Sequence, residues 1–244
     1  MEAMNRLFRS YSEYLRERYG VPVYRVAIDA GFSCPHRGPD RSRPGCLYCD
    51  GSGARAPYLE GAAGGPPSST EDSLRQNIRR QIETAVGFLR RRYRAEQFLL
   101  YFQAFTNTYA PPPELARIYD FALACAPPGA PFRELIVSTR PDCIDAAKAD
   151  MLSAYRERSL EVWVELGLQS ASDATLRRIR RGHTVREFTE AYELLRSRGL
   201  KLAAHLIFGL PGEGLEEILN TVRYLAALEP DGVKIHNLHV PKAS

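Results

Sequence analysis

The stretch LKLAAHLIFGLPGEGLEEILNTVRYLAALEPDGVKIHNLH, residues Leu200–His239, decides the fold. Leu200 to Phe208 is an apolar run of strand length, and two glycines and a proline then turn the chain. Glu216 to Leu228 carries apolar residues at helical spacing, and Gly232 to His239 returns to a strand pattern. A strand, a helix and a second strand in this order make a right-handed βαβ unit with parallel strands.

The same unit repeats towards the N-terminus. Val185 to Arg198 reads as a helix started by Thr184 and stopped by Gly199. Before it come a strand at Leu160 to Leu166 and a helix at Ala171 to Arg180. Leu135 to Ser138 and Asp145 to Arg158 form another pair, as do Phe98 to Phe102 and Pro113 to Ala124. A first strand, Tyr24 to Ile28, precedes a helix capped by Ser69 or Thr70 that runs to Arg92. Glu71 and Asp72 sit in its first turn, where they suit the helix dipole. An opening helix is expected from about Asn5 to Arg18, stopped by Gly20 and Pro22. Six strands with helices between them predict an α/β fold, a partial (β/α)6 barrel of TIM type forming one domain over residues 1–244. In such folds chemistry gathers on loops after the strands' C-terminal ends.

Composition narrows the class. With 244 residues, 44% hydrophobic and 25% charged, the chain is neither disordered nor a disulfide-dense miniature. No run reaches the roughly 20 apolar residues of a membrane span, and residues 1–19 have no secretory pattern. Five cysteines in a chain without a secretory signal point to a reducing, cytoplasmic setting and to ligation rather than disulfides. The net charge is only +4, yet every basic residue but Lys148, Lys201, Lys234 and Lys242 is arginine. Arginine suits phosphate and carboxylate, although a codon bias gives the same composition.

Cys34, Cys46 and Cys49 share the loop after the first strand, about residues 30–67, as Cys34-Pro35-His36-Arg37 and Pro44-Gly45-Cys46-Leu47-Tyr48-Cys49. The closely spaced pair lets two thiolates face one centre from a tight turn. Three readings stay open on spacing alone: a four-iron cluster with three protein ligands and one open iron, a structural zinc completed by His36, or three unligated cysteines.

A three-cysteine loop after strand one of such a barrel resembles the radical S-adenosylmethionine (SAM) enzymes. Eleven residues separate the first two cysteines, where the common spacing is three. The longer loop resembles the elongator-subunit-three-like branch and the YhcC/YtqA-type proteins. The likeness continues in order through Tyr101–Pro111, Ser138–Cys143, Glu165–Ser170, Arg181–Thr184 and His205–Glu213.

The resemblance implies a [4Fe-4S] cluster on Cys34, Cys46 and Cys49, with SAM bound to the open iron and cleaved to a deoxyadenosyl radical. Gln103, Thr106 and Asn107 stand where relatives carry a Gly-Gly-Glu stretch for the SAM amino group. Ser138 and Gln169 are implied at the ribose, and His205 at a ribose-binding polar position. Arg181 is implied at the SAM carboxylate, which a guanidinium can grip bidentately. Gly209 and Gly212 are implied close to the adenine. Arg140 either joins the site or pairs with Asp142. Cys143 is a candidate reactive thiol at the mouth or an inert buried residue, and Cys125 is inert. His236 and His239, three apart on one strand, are expected on opposite faces, with one of them inward.

The substrate expectation is the wobble-uridine side chain of transfer RNA, on which some resembling proteins act. The alternatives are a small-molecule radical SAM enzyme and a non-catalytic zinc or iron–sulfur module. An electron donor such as flavodoxin or ferredoxin is implied, and no membrane. The chain stops at Lys242-Ala243-Ser244, directly after strand six, where resembling proteins continue. The C-terminal extension is therefore expected to be absent, leaving an exposed apolar edge near Val233 to Leu238.

Overall fold

Six strands pair in parallel in the order β1-β2-β3-β4-β5-β6, from Val23–Ile28 through Gln97–Phe102, Glu134–Thr139, Glu161–Gln169 and Lys201–Phe208 to Gly232–Asn237. The computed structural model describes residues 7–49 and 70–239. The sheet curls into a partial barrel, and β1 and β6 are its two edges, not paired with each other among the described residues. The helices between strands are α2 (Glu71–Tyr93), α3 (Pro112–Ala124), α4 (Ala146–Ala154), α5 (Asp173–Arg178), α6 (Val185–Ser197) and α7 (Leu215–Leu228). The first helix, α1 (Tyr11–Tyr19), precedes β1.

Local chemistry explains the boundaries. The Thr70 hydroxyl accepts from Ser73 N at the start of α2, and Thr184 and Glu187 form a capping box on α6. Thr70, and not Ser69, is the cap of α2; Ser69 lies outside the described residues. Helix α1 begins later than expected because Ser10 caps it, its hydroxyl accepting from Glu13 N while Glu13 reaches back to Ser10 N. Residues 7–10 are not helical, and Asn5 lies outside the described residues. Gly20 stops the helix in the left-handed conformation, at φ 71°.

Three further boundaries differ from expectation. Helix α4 ends at Ala154 and continues only as a 3-10 turn, Tyr155–Arg158, before Ser159 turns left-handed. Strand β4 runs on to Gln169, through a register shift against β5 between Gly167 and Gln169. That extension shortens α5, which Ser172 caps at its start. Strand β6 ends at Asn237, so strand alternation does not govern His239.

Two cores follow from strand alternation. Residues on the outer face, such as Leu100, Leu135, Val164 and Leu202, pack under the helices. Residues on the inner face, including Leu99, Tyr101, Ile136 and Trp163, fill the barrel. Helix α1 closes the end of the barrel nearest the strand starts. Its Tyr11 and Tyr19 hydroxyls donate to the buried Glu134, both at 2.9 Å, and Tyr14 donates to Glu161 at 2.7 Å. Tyr11 and Tyr14 also meet the Trp163 ring edge-on. The outer face of β6 carries Val233 and Ile235, 48% and 57% exposed, whereas Leu238 packs with Leu176, Ile179, Ile207 and Leu210. The exposed apolar edge is therefore confined to those two side chains.

Candidate functional site

A cavity of about 330 Å³ opens at the C-terminal ends of the strands. That size is at the low end for a small-molecule site. Each strand supplies part of its wall. The loop after β1 brings Cys34, Cys46, Tyr48 and Cys49, and the segment after β2 brings Gln103, Phe105 and Thr106. Ser138, Thr139 and Arg140 come from the end of β3, and Gly167 and Gln169 from β4, with Arg181 beyond α5. His205 and Ile207 belong to β5, and His236 and His239 close the sixth side. Both histidines border the cavity, against the expectation of one, because the strand has ended before His239.

The cysteine loop is held by its own backbone. Gly38 N and Arg37 N donate to Cys34 O, each at 3.1 Å, and Leu47 N donates to Ile179 O at 3.1 Å, tying the loop to the end of α5. Gly45 takes φ 76°, and a β-carbon there would lie 3.0 Å from Arg37 Nε. Arg37 in turn donates to Cys49 O at 3.0 Å. Arg41 lies 3.8 Å from the Phe105 ring centre and donates to Phe32 O at 2.7 Å.

Cationic groups surround one sulfur. Arg140 Nη1 and Arg181 Nη1 point at Cys46 Sγ from 3.8 and 3.9 Å. Burial opposes ionisation of Cys46, but the hydrogen bond from His36 and the charges of Arg181 and Arg140 bring its thiol down to about 6. Burial instead pushes the Cys49 thiol up. Arg140 is also paired with Asp142 through two bonds, 2.9 and 2.8 Å, so it joins the site and the ion pair at once.

Arg181 is fixed on three sides. Its Nη2 donates to Gly167 O at 3.0 Å and its Nε to His183 Nε2 at 2.9 Å. Accepting there requires the tautomer protonated at Nδ1, which faces Thr184 O at 3.2 Å; the same Nε2 also stands 3.0 Å from Gly167 O. Burial, with the Arg181 charge, pushes His183 down to about 4 and keeps it neutral. Gly167 admits this packing, since a β-carbon there would stand 2.5 Å from Arg181 Nη2.

Four of the expected residues lie elsewhere. Asn107 is fully buried outside the cavity wall, donating to Phe102 O and Ser138 O to brace two strand ends. Gly209 and Gly212 are not in the wall; they take φ 88° and 80° in the turn after β5. Gly212 makes room for Arg178, which donates to Pro211 O at 2.7 Å. Cys143 is buried, away from the wall, and burial pushes its thiol up to about 12, which suits an inert residue and not a reactive one.

One group of residues was missed. Beneath His205, inside the barrel, Glu165 receives Arg25 at 2.8 Å, His205 Nε2 at 2.6 Å, the Tyr101 hydroxyl at 2.7 Å and Lys234 Nζ at 3.3 Å. Burial opposes the Glu165 charge, and His205, Arg25 and Lys234 outweigh it, holding the carboxyl well below the usual range. All five side chains have inward parity on their strands, and that signal was available in the sequence.

The donor set, three thiols of one loop, is the kind that an iron–sulfur cluster takes. Three thiols of one loop border one cavity, with guanidinium groups facing Cys46. Among the described residues no three His, Cys, Asp or Glu side chains converge on one metal position.

Comparison with known proteins agrees. A family profile described as the Radical SAM superfamily matches residues 33–225. Protein YhcC of Escherichia coli is 37% identical over 243 residues, covering 99% of this chain and 71% of that protein. Human Elongator complex protein 3 is 33% identical over 106 residues, 42% of this chain and 18% of its own. The structure of coproporphyrinogen III oxidase (HemN) from Escherichia coli aligns with a TM-score of 0.59 at 17% identity, a likeness of fold. The chain spans 48% of that structure's length, covering 95% of itself. No helix among the described residues is long and apolar enough to cross a membrane.

Proposed function

Since the chain belongs to the radical SAM superfamily, whose enzymes use a [4Fe-4S] cluster and SAM, we propose that this cavity cleaves SAM and directs the radical to a transfer-RNA wobble uridine. The carrying observation is the meeting of Cys34, Cys46 and Cys49 with polar side chains from the ends of β3, β4 and β5 around one cavity. When bound, the cluster supplies an electron that breaks a carbon–sulfur bond of SAM and yields the deoxyadenosyl radical.

The chain's own residues bind, orient and exclude water. Cys34, Cys46 and Cys49 hold the cluster. Arg181, locked by His183 and Gly167 O, presents a preset fork to the SAM carboxylate. Arg140, braced by Asp142, adds positive charge on the same side. Gln103 and Thr106 serve the amino group, and Ser138, Gln169 and His205 the ribose. Phe105, Ile207 and Leu238 form apolar wall that keeps water from the reacting centre.

The nucleic-acid part of the reading draws on the match to Elongator complex protein 3 and on charge. Arg177 and Arg180 are exposed on and just after α5, at the cavity end of the barrel, where they suit a phosphate backbone. A flavodoxin or ferredoxin fits as the electron donor. The five free cysteines suit the reducing cytoplasm.

Anaerobic reconstitution tests the reading. A brown protein should form, and reduction in the presence of SAM should release deoxyadenosine, faster with bulk tRNA. A colourless protein holding one zinc would overturn the cavity assignment. Mass spectrometry of tRNA nucleosides from a deletion strain checks the substrate; unchanged wobble uridines would favour a small molecule.

A further inference from the structure

The polar group inside the barrel gathers two cationic side chains on one carboxylate. Arg25 on β1 and Lys234 on β6 come from the two edge strands and reach the same carboxylate, Glu165 on β4. Lys234 Nζ also donates to the Tyr101 hydroxyl at 3.0 Å, and that hydroxyl donates to Glu165. Both cations lie near the Tyr101 ring centre, Arg25 at 4.8 Å and Lys234 at 5.1 Å. Glu165 is thus one carboxylate shared by two cationic side chains, and burial pushes the Lys234 ammonium down against the pull of Glu165. Burial pushes His205 down, so it bonds Glu165 as a neutral donor, and burial pushes its neighbour His236 down to about 4. The next inward carboxyl, Glu134, is occupied by Tyr11 and Tyr19, and burial raises it to about 7.

The two cations are partly exposed and lie behind the cavity wall, of which they are not themselves a part. The Lys234 and Arg25 side chains are 31% and 28% exposed, against 2% for Glu165. His205 and His236, whose rings lie 5.6 Å apart, join this group to the cavity wall. Arg25 Nε is buried and has no hydrogen-bond partner. Two part-exposed cations that share one carboxylate can take a further anionic oxygen ligand.

We infer that Arg25 and Lys234 form a subsite for an anionic group of the substrate, a carboxylate or a phosphate, on the barrel side of the cavity. This rests on the cavity being the reaction chamber, and it adds the charge that a substrate must carry. A nucleotide backbone would bring a phosphate, and a small organic acid a carboxylate.

The chain has five histidines, so their ring signals can be followed individually by NMR. Inorganic phosphate and acetate are titrated separately into the full chain with its cluster oxidised, without SAM or reductant. One or both anions should shift the His205 and His236 signals saturably. Phosphate alone would identify a nucleotide-like source, and acetate alone an organic acid. Lys234→Met should weaken the binding at least tenfold, and Lys234→Arg should retain it within a few fold. Should Lys234→Met melt below the assay temperature, Lys234→Gln carries the same comparison. The inference is overturned by an unchanged dissociation constant in the uncharged variant, by no saturable shift with either anion, or by shifts confined to His183 beside Arg181. A colourless, iron-free preparation would sink the cluster assignment while leaving the anion titration readable.

Discussion

His36 lies against Gly182 so closely that a β-carbon on Gly182 would stand 1.8 Å from His36 Nε2. Two segments far apart in sequence therefore meet with no space between them, and the ring that bonds Cys46 takes its place from the glycine.

Gly182→Ala should accordingly damage both stability and cluster loading. Gly182 sits at φ 77°, where a side chain costs roughly 1–2 kcal/mol before any clash. The melting temperature should fall by roughly 2–8 °C for a chain of this size, and iron per chain should fall with it. His36→Ala in the same background should recover part of the melting loss. Identical losses with and without the His36 ring would refute the steric account.

The cysteines should separate cleanly. Cys46→Ala should abolish iron binding and the brown colour. Cys143→Ala should keep full iron content and lose roughly 1 kcal/mol of stability, because Cys143 is buried outside the cavity with its thiol protonated. Iron analysis of the two purified variants decides it.

Two buried glutamates should give opposite pH dependences. Burial raises Glu134 from 4.5 to about 7 despite the bonds from Tyr19 and Tyr11. Its contribution is complete below its unfolded value near 4.3 and is lost as pH rises through about 7. Wild type should weaken between pH 5 and 8 by up to about 3 kcal/mol, and Glu134→Gln should flatten that slope. Glu165 is held low, so its contribution is present above about pH 4 and lost below it. Glu165→Gln should remove that acid dependence and cost about 3–5 kcal/mol at pH 7, since Arg25 and Lys234 lose their counterion. Urea unfolding from pH 2 to 8 reads both; parallel curves for the two variants would contradict the assignment.

Ile235, 57% exposed on an edge strand, should tolerate charge. Ile235→Lys should change stability by less than about 0.5 kcal/mol and should reduce self-association in sedimentation, since lysine blunts edge pairing. A larger destabilisation would mean that this face is covered in solution.

These relationships differ in how visible they were in the sequence. Strand periodicity located β1 to β6 within a few residues, because alternation and turn residues are local signals. The same locality exposed Cys34, Cys46 and Cys49 as one loop. Arg25, Tyr101, Glu165 and Lys234 went unassigned, since parity turns each of them inward but only the curling of the sheet unites them. Asn107 and Gly212 misled for the converse reason. Polar and glycine-rich segments announce a special backbone, but whether they face a ligand or brace a turn depends on directions set by packing, here towards Ser138 O and Arg178.

The tyrosines of α1 add a consequence for biosynthesis. Tyr11, Tyr19 and Tyr14 bond carboxylates 123, 115 and 147 residues further along the chain. At ordinary ribosome speed the helix waits roughly 6–30 s for those partners to be made. The segment that leaves the ribosome before any strand thus stays unsatisfied until β3 and β4 have been made, its aromatic face meanwhile open to other contacts.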